Sequence, residues 1–104
     1  MKARISARAQ SDLDRIFAWI YVRQGPTAAD QFLQLAKEAT AFLVQHPLAG
    51  PHPSWATRHK ALRFWVISRT KFLIFYLVDE EGVGIERILD GRRGEEGRRM
   101  KEEG

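Results

Sequence analysis

The sequence predicts an α+β fold in the order β-α-α-β-β-β, with a helical hairpin packed on a small, mainly antiparallel sheet. Three observations predict it. Two amphipathic helical segments meet at Gly25 and Pro26, residues 62–93 read as three strands separated by two polar breaks, and a short alternating segment stands at the start of the chain.

Residues 2–6 begin by alternating charged and apolar side chains, the period of a short first strand. Ser11 is expected to cap the first helix, with Asp12 and Asp14 in its first turn, where the helix dipole favours negative charge. Leu13, Ile16, Phe17 and Ile20 follow at i, i+3, i+4 and i+7, which is one face of that helix. The helix should end near Gly25, and Pro26 suits the opening turn of a second one, because its missing N–H would have no partner there. Phe32, Leu35, Ala36, Ala39, Phe42 and Leu43 carry the apolar stripe down to His46, and Pro47 stops it. Two helices with so short a link form an antiparallel hairpin.

Residues 47–60, PLAGPHPSWATRHK, hold three prolines and one glycine, so a surface loop is expected there. Strand pattern resumes at Leu62, with Leu62, Phe64 and Val66 on one face and Arg63, Trp65 and Ile67 on the other. Residues 68–70 make the first turn. The strand 72–78 is apolar on both faces, so one face is expected under the helices and the second is expected to seat a partner. Residues 79–82 turn the chain again and 83–89 form the last strand. GRRGEEGRRMKEEG then has no apolar residue except Met100. The expected organisation is one domain over 1–93 and a charged, flexible tail over 94–104.

Composition bounds the function classes. The chain has 104 residues, 44% of them hydrophobic, enough for one domain with one core. It has no cysteine, which excludes disulfides and thiolate chemistry and fits a reducing cytoplasm. The basic MKARISARAQ is followed by SDLDR instead of an apolar run, so no signal peptide or membrane span is expected. The net charge is +4, and no acidic residue occurs between Glu38 and Asp79, a span that holds Arg58, Lys60, Arg63, Arg69, Lys71 and all three histidines. Such a one-sign field attracts anions, acidic protein tails or nucleic acid; the plainer reading is a solvated basic face.

His46, His52 and His59 fall six and seven residues apart with no carboxylate between them, which is not the tight ligand pairing of a zinc site, so no metal is expected. Trp55 and Trp65 with Arg58, Lys60 and Arg63 could form an aromatic and basic surface for single-stranded nucleic acid, or Trp65 could pack against a neighbour with the cations at its rim. No glycine-rich phosphate loop or serine–histidine triad is present, and no cofactor is expected.

Five pieces of the chain, in order, resemble the RelE/ParE toxin superfamily of bacterial type II toxin-antitoxin systems, over residues 1 to about 93. AQSDLDRIFAWI resembles the family's polar cap and aromatic first helix, and PTAADQF the start of its second. HPLAG resembles its Pro-x-x-Gly loop. LR followed by FLIFY resembles its second and third strands, and ERILDGRR stands where members often have a strand followed by His-Gly-Ala-Arg. The resemblance implies a toxin neutralised by a cognate antitoxin, ParD-like or similar, with operator DNA bound only through that antitoxin.

Two activities compete within the superfamily. The RelE-like branch cuts messenger RNA on the ribosome, a reaction in which a 2′-hydroxyl attacks phosphate and needs a base, an acid and cations. Here Asp90 follows the last strand, and no histidine or tyrosine follows Tyr76. Tyr76 itself reads as a core tyrosine with a satisfied hydroxyl. No catalytic residue is therefore expected, and the ParE-like branch, which poisons DNA gyrase, fits better. A non-toxic orphan fold that only binds an antitoxin or DNA is the further alternative. The toxicity surface is expected at Arg92 and Arg93, with Arg87, Trp65 and Arg63. The antitoxin is expected on Phe72, Ile74 and Tyr76, with its acidic residues facing Arg63, Arg69 or Lys71.

Overall fold

The computed structural model describes residues 2–56, 58 and 61–91. Their order is β1 (Lys2–Ile5), α1 (Ala7–Gln24), α2 (Pro26–Gln45), β2 (Arg63–Val66), β3 (Phe72–Asp79) and β4 (Gly82–Asp90). The strands form one sheet in the order β1-β4-β3-β2. β2, β3 and β4 pair antiparallel, and β1 runs parallel to β4 with Lys2 opposite Gly82 and Ile5 opposite Ile85. The expected α+β hairpin-on-sheet architecture is therefore present, with one parallel pairing at its edge. The expected boundary near residue 93 and the tail beyond it lie outside the described residues.

The first helix starts earlier than its sequence suggests. Ser6, not Ser11, is the N-cap: its hydroxyl accepts from the Ala9 N–H at 2.9 Å and donates to the Glu86 carbonyl at 2.8 Å. Its own N–H donates to the Ile85 carbonyl at 2.9 Å. Both serines suit a cap by residue type. Contacts to β4, some eighty residues away, select Ser6. Asp12 and Asp14 consequently fall beyond the first turn, which holds no acidic residue.

Gly25 joins the helices alone. Its φ of 92° lies in the region that side chains disfavour, and its N–H closes α1 on the Tyr21 carbonyl at 3.0 Å while its own carbonyl accepts from Ala29. With Pro26 at the first helical position, the chain reverses in one residue and α1 lies against α2.

The hairpin covers one face of the sheet through Ile16, Ile20, Phe32 and Leu43, packed on Ile74, Tyr76, Ile85 and Ile88. Phe32 meets Phe72 edge-on at 5.4 Å between ring centres. Ile85 and Ile88 reach the same face although they are three residues apart, which the strand period of two forbids. The pairing slips between Phe75↔Arg87 and Tyr76↔Ile85, so Glu86 is the extra residue of a β-bulge. The opposite face carries a second apolar cluster of Ala56, Leu62, Phe75 and Leu89, with Trp55 and Phe64 packed against it. The sequence assigned this second face of β3 to a partner. The chain's own proline-rich loop covers it, because Trp55 and Ala56 fold back over Phe75.

One polar interaction crosses the helix-side layer. Asp12 is only 2% exposed. Its Oδ2 accepts from Arg87 Nε at 2.8 Å and from the Ile88 N–H at 3.0 Å, and its Oδ1 accepts from Arg87 at 3.1 Å and from Arg15 at 2.8 Å. The carboxylate thus fixes α1 to the bulged part of β4 by a two-pronged guanidinium pair. Removing it would take from Arg15, Arg87 and the Ile88 N–H their shared acceptor inside the core, so Asp12→Ala should lose about 3–5 kcal/mol of stability. Urea denaturation reads this directly. A paired replacement, Asp12→Leu with Arg87→Met, should recover much of the loss, and a single variant as stable as wild type would show that the pair contributes nothing.

Candidate functional site

Tyr76 organises the start of the long loop. Its hydroxyl is fully buried, donates to the Pro47 carbonyl at 2.9 Å and accepts from the Gly50 N–H at 2.9 Å. Gly50 is required by space: a Cβ there would come within 2.3 Å of the Phe64 carbonyl and 2.6 Å of the Tyr76 hydroxyl. Arg63 completes the clamp by donating to the carbonyls of Leu48 and Gly50, at 3.2 and 2.7 Å. The HPLAG segment therefore has a structural meaning, since its proline carbonyl and glycine N–H are the two groups that Tyr76 holds. Burial pushes the Tyr76 hydroxyl above the ordinary tyrosine range, while the Gly50 hydrogen bond and the nearby Arg63 charge pull it partly back. Its proton is engaged with a backbone carbonyl.

Trp65 stacks on Phe42 at 4.9 Å between ring centres, and Phe42 lies on His46 at 4.8 Å. This aromatic ladder joins the end of α2 to the edge strand β2. The half-buried Trp65 also packs on the helix-side core, so the reading in which it packs against a neighbour describes its place. His52 Nδ1 donates to the Leu62 carbonyl at 2.9 Å.

Among the described residues, two clefts are formed on the helix side. The larger, about 500 Å³, runs between the edge strand β1 and α2. Ile5, Leu33, Ala36, Ala41, Val44 and Ile85 make it apolar, and Arg4 and Lys37 stand at its rim. The smaller, about 180 Å³, lies at the other end of the sheet between α1 and the ends of β3 and β4, with Ile16, Phe72 and Ile88 inside and Arg15, Trp19, Lys71 and Asp90 around it. Two cations hold the Trp19 indole there, Arg23 at 4.5 Å and Lys71 at 4.7 Å from the ring centre, and Lys71 also pairs with Asp90 at 3.1 Å. A third charged group, away from either apolar floor, clamps the β3–β4 turn: Asp79 pairs with Arg4 and accepts from the N–H groups of Glu81 and Gly82. The Arg4 guanidinium holds its carboxyl below the usual carboxylate range.

The residues singled out from the sequence do not form one surface. Phe72, Ile74 and Tyr76 are buried in the chain's own core beneath the hairpin, so they have no free face for an antitoxin. Arg63 lies at the far end of the β2–β3 ladder from Lys71, on the order of 15 Å away at the usual rise per residue. Arg69, with φ of 63°, is exposed in the turn beside Lys71. Arg87 is engaged with Asp12. Arg92 and Arg93 lie outside the described residues, as do His59 and Lys60. Sequence reasoning missed Asp12, although a signal existed: it falls with Ala9, Ile16 and Ile20 on the buried stripe of α1, and a carboxylate there demands a cation. It also passed over Trp19, whose setting depends on Lys71 from another element.

Among the described residues no group of His, Asp or Glu side chains could hold a metal ion, and no helix is long and apolar enough to cross a membrane. A family model, the ParE toxin of type II toxin-antitoxin system, parDE, matches residues 3–94. Among solved structures, a chain of the chromosomal ParDE TA system from P. aeruginosa superposes with a TM-score of 0.72 at 26% identity, over 85% of this chain and 92% of that one. Comparison with curated proteins gave no significant match.

The Tyr76 clamp has a measurable consequence. Tyr76→Phe strands the Gly50 N–H and the Pro47 carbonyl and should cost about 1–3 kcal/mol. Because the native hydroxyl holds its proton more tightly than the unfolded chain does, its contribution is fully present below the ordinary tyrosine value of about 10 and is lost as the pH rises through the native value. Stability curves of wild type and variant measured in urea should therefore converge at high alkaline pH. Parallel curves would show that the hydroxyl does not titrate differently in the two states.

Proposed function

The chain belongs to the ParE toxin family of type II toxin-antitoxin systems, and on that footing we propose that it is a growth-inhibiting toxin of the cytoplasm that acts on DNA gyrase and is silenced by a cognate antitoxin. The observation that carries the antitoxin half is the groove of about 500 Å³ beside β1. It combines an apolar floor, a cationic rim and, among the described residues, a strand edge with no strand beyond it. An amphipathic, acidic segment of a ParD-like antitoxin suits all three, with its apolar face on Leu33, Ala36 and Val44 and a carboxylate on Lys37, the Arg4 guanidinium being shared with Asp79 and Glu81. The partner's seat thus moves from the strand residues expected in sequence to the groove next to them. Operator DNA is reached through the antitoxin.

Support for gyrase over messenger RNA comes from what the side chains are engaged in. RNA cleavage needs a proton acceptor and a proton donor at the phosphate. The Tyr76 hydroxyl is held by two backbone groups inside the core, and Asp90 at the end of β4 pairs with Lys71. Arg92 and Arg93 remain the proposed toxic contact, with Trp65 and Arg63 as a second patch; Arg87 supports β4 from within.

Three outcomes test this reading. Ala41→Glu with Val44→Glu should weaken antitoxin binding at least about tenfold and leave growth inhibition intact; rescue equal to wild type would place the antitoxin elsewhere. Expression of the toxin should induce the DNA-damage response, and the purified chain should inhibit supercoiling, with messenger RNA intact; codon-specific cleavage of translated messages within minutes of induction would make it a RelE-like endonuclease. Arg92→Ala with Arg93→Ala should abolish toxicity with stability changed by no more than about 1 kcal/mol. Full growth inhibition by that variant at equal expression would move the poisoning surface to Arg63 and Trp65.

A further inference from the structure

We propose that the smaller cleft, between α1 and the ends of β3 and β4, is a docking site for an acidic polypeptide segment of the target protein, which inserts one apolar side chain beside Trp19. The proposal rests on the reading that this chain poisons a protein. It adds a contact surface on the first helix, distinct from the antitoxin groove.

Three features of the cleft carry it. Its volume of about 180 Å³ and its floor of Ile16, Phe72 and Ile88 suit a single Leu- or Phe-sized side chain. Its wall is an indole left 39% exposed yet fixed in place by Arg23 and Lys71, so the entropy of ordering that tryptophan is already spent in the free protein. Arg15, Trp19 and Arg23 recur every four residues along α1, which puts two guanidiniums and the indole on one outward stripe. Arg15 is 67% exposed while one nitrogen is fixed on Asp12, and so presents the rest of its fork to solvent.

Charge and shape together select the class of partner. Cations around an aromatic would suit a phosphate backbone as well as a carboxylate, but an apolar pocket has no use for phosphate. A fixed tryptophan held between an arginine and a lysine beside a small apolar pocket, with a further arginine on its rim, has the composition of a protein–protein hot spot.

The test uses Trp19→Ala, Arg23→Glu and the conservative Trp19→Phe, with growth inhibition at matched expression, affinity for purified gyrase and affinity for the cognate antitoxin as readouts. Trp19→Ala and Arg23→Glu should lower growth inhibition and gyrase affinity at least about tenfold, Trp19→Phe should restore most of both, and antitoxin affinity should stay within about twofold. An unchanged melting temperature separates this from misfolding; if Trp19→Ala melts early, Arg23→Glu alone decides. Wild-type toxicity and gyrase binding in Arg23→Glu and Trp19→Ala would overturn the proposal, as would an equal loss of antitoxin binding. If the wild type stops growth without binding gyrase, the gyrase reading falls, while loss of toxicity in the variants upholds the cleft for another protein. Duplex DNA bound by the wild type and lost in the variants would assign the cleft to nucleic acid and overturn the proposal. A wild-type chain that neither slows growth nor binds gyrase removes both.

Discussion

A buried carboxylate in the first helix is the constraint on which the arrangement of the layers depends. Asp12 sits on the apolar stripe of α1, where an ionised group is tolerated only with its oxygens satisfied. Four donors satisfy them, three from guanidiniums and one from the backbone of β4. The backbone donor matters most for the fold. Hydrophobic packing permits a helix to slide or rotate on a sheet at modest cost, but the Ile88 N–H and the Arg87 fork can donate to the carboxylate in one register only. Such an interaction specifies where α1 lies more than it adds to stability.

The bulge in β4 serves the same constraint. By inserting Glu86 it brings Ile85 and Ile88 to the core together and turns the Arg87 side chain toward α1, where Asp12 meets it. Across the sheet, Tyr76 does for the loop what Asp12 does for the helix. Each is a polar group inside the core whose partners belong to a segment distant in sequence, and each pins an element that packing alone would leave loosely placed. With α1 and the loop start both fixed, the cleft at each end of the hairpin acquires a defined shape, one mostly apolar, the other walled by a tryptophan and cations.

Much of this architecture was legible from local pattern. The stripe from Leu13 to Ile20, the Gly25-Pro26 break and the alternation from Leu62 onward depend on neighbours within a few residues, and the elements they indicate are all present. What was not legible depends on contacts between segments far apart. Ser6 and Ser11 are equally good caps until Glu86 and Ile85 choose between them. Periodicity showed that both faces of β3 are covered, yet it carries no information on whether the cover is a partner or the chain's own loop. In the candidate site, the core position of Tyr76 was readable from its strand. Arg87 was misread as a surface cation because its counterion stands 75 residues earlier in the chain.

The parallel pairing of β1 with β4 has a consequence for biosynthesis. The first strand waits for the last one: Lys2 to Ile5 find their partners only at Gly82 to Ile85, and Asp12 finds its guanidinium at Arg87. Until the final strand is made, the Asp12 carboxylate of a nascent chain has only Arg15 of its own helix for a partner, and high sequence separation makes the closing step slow. Chains that stop short of β4 therefore lack both clefts in their finished form, because residues of that strand line each of them.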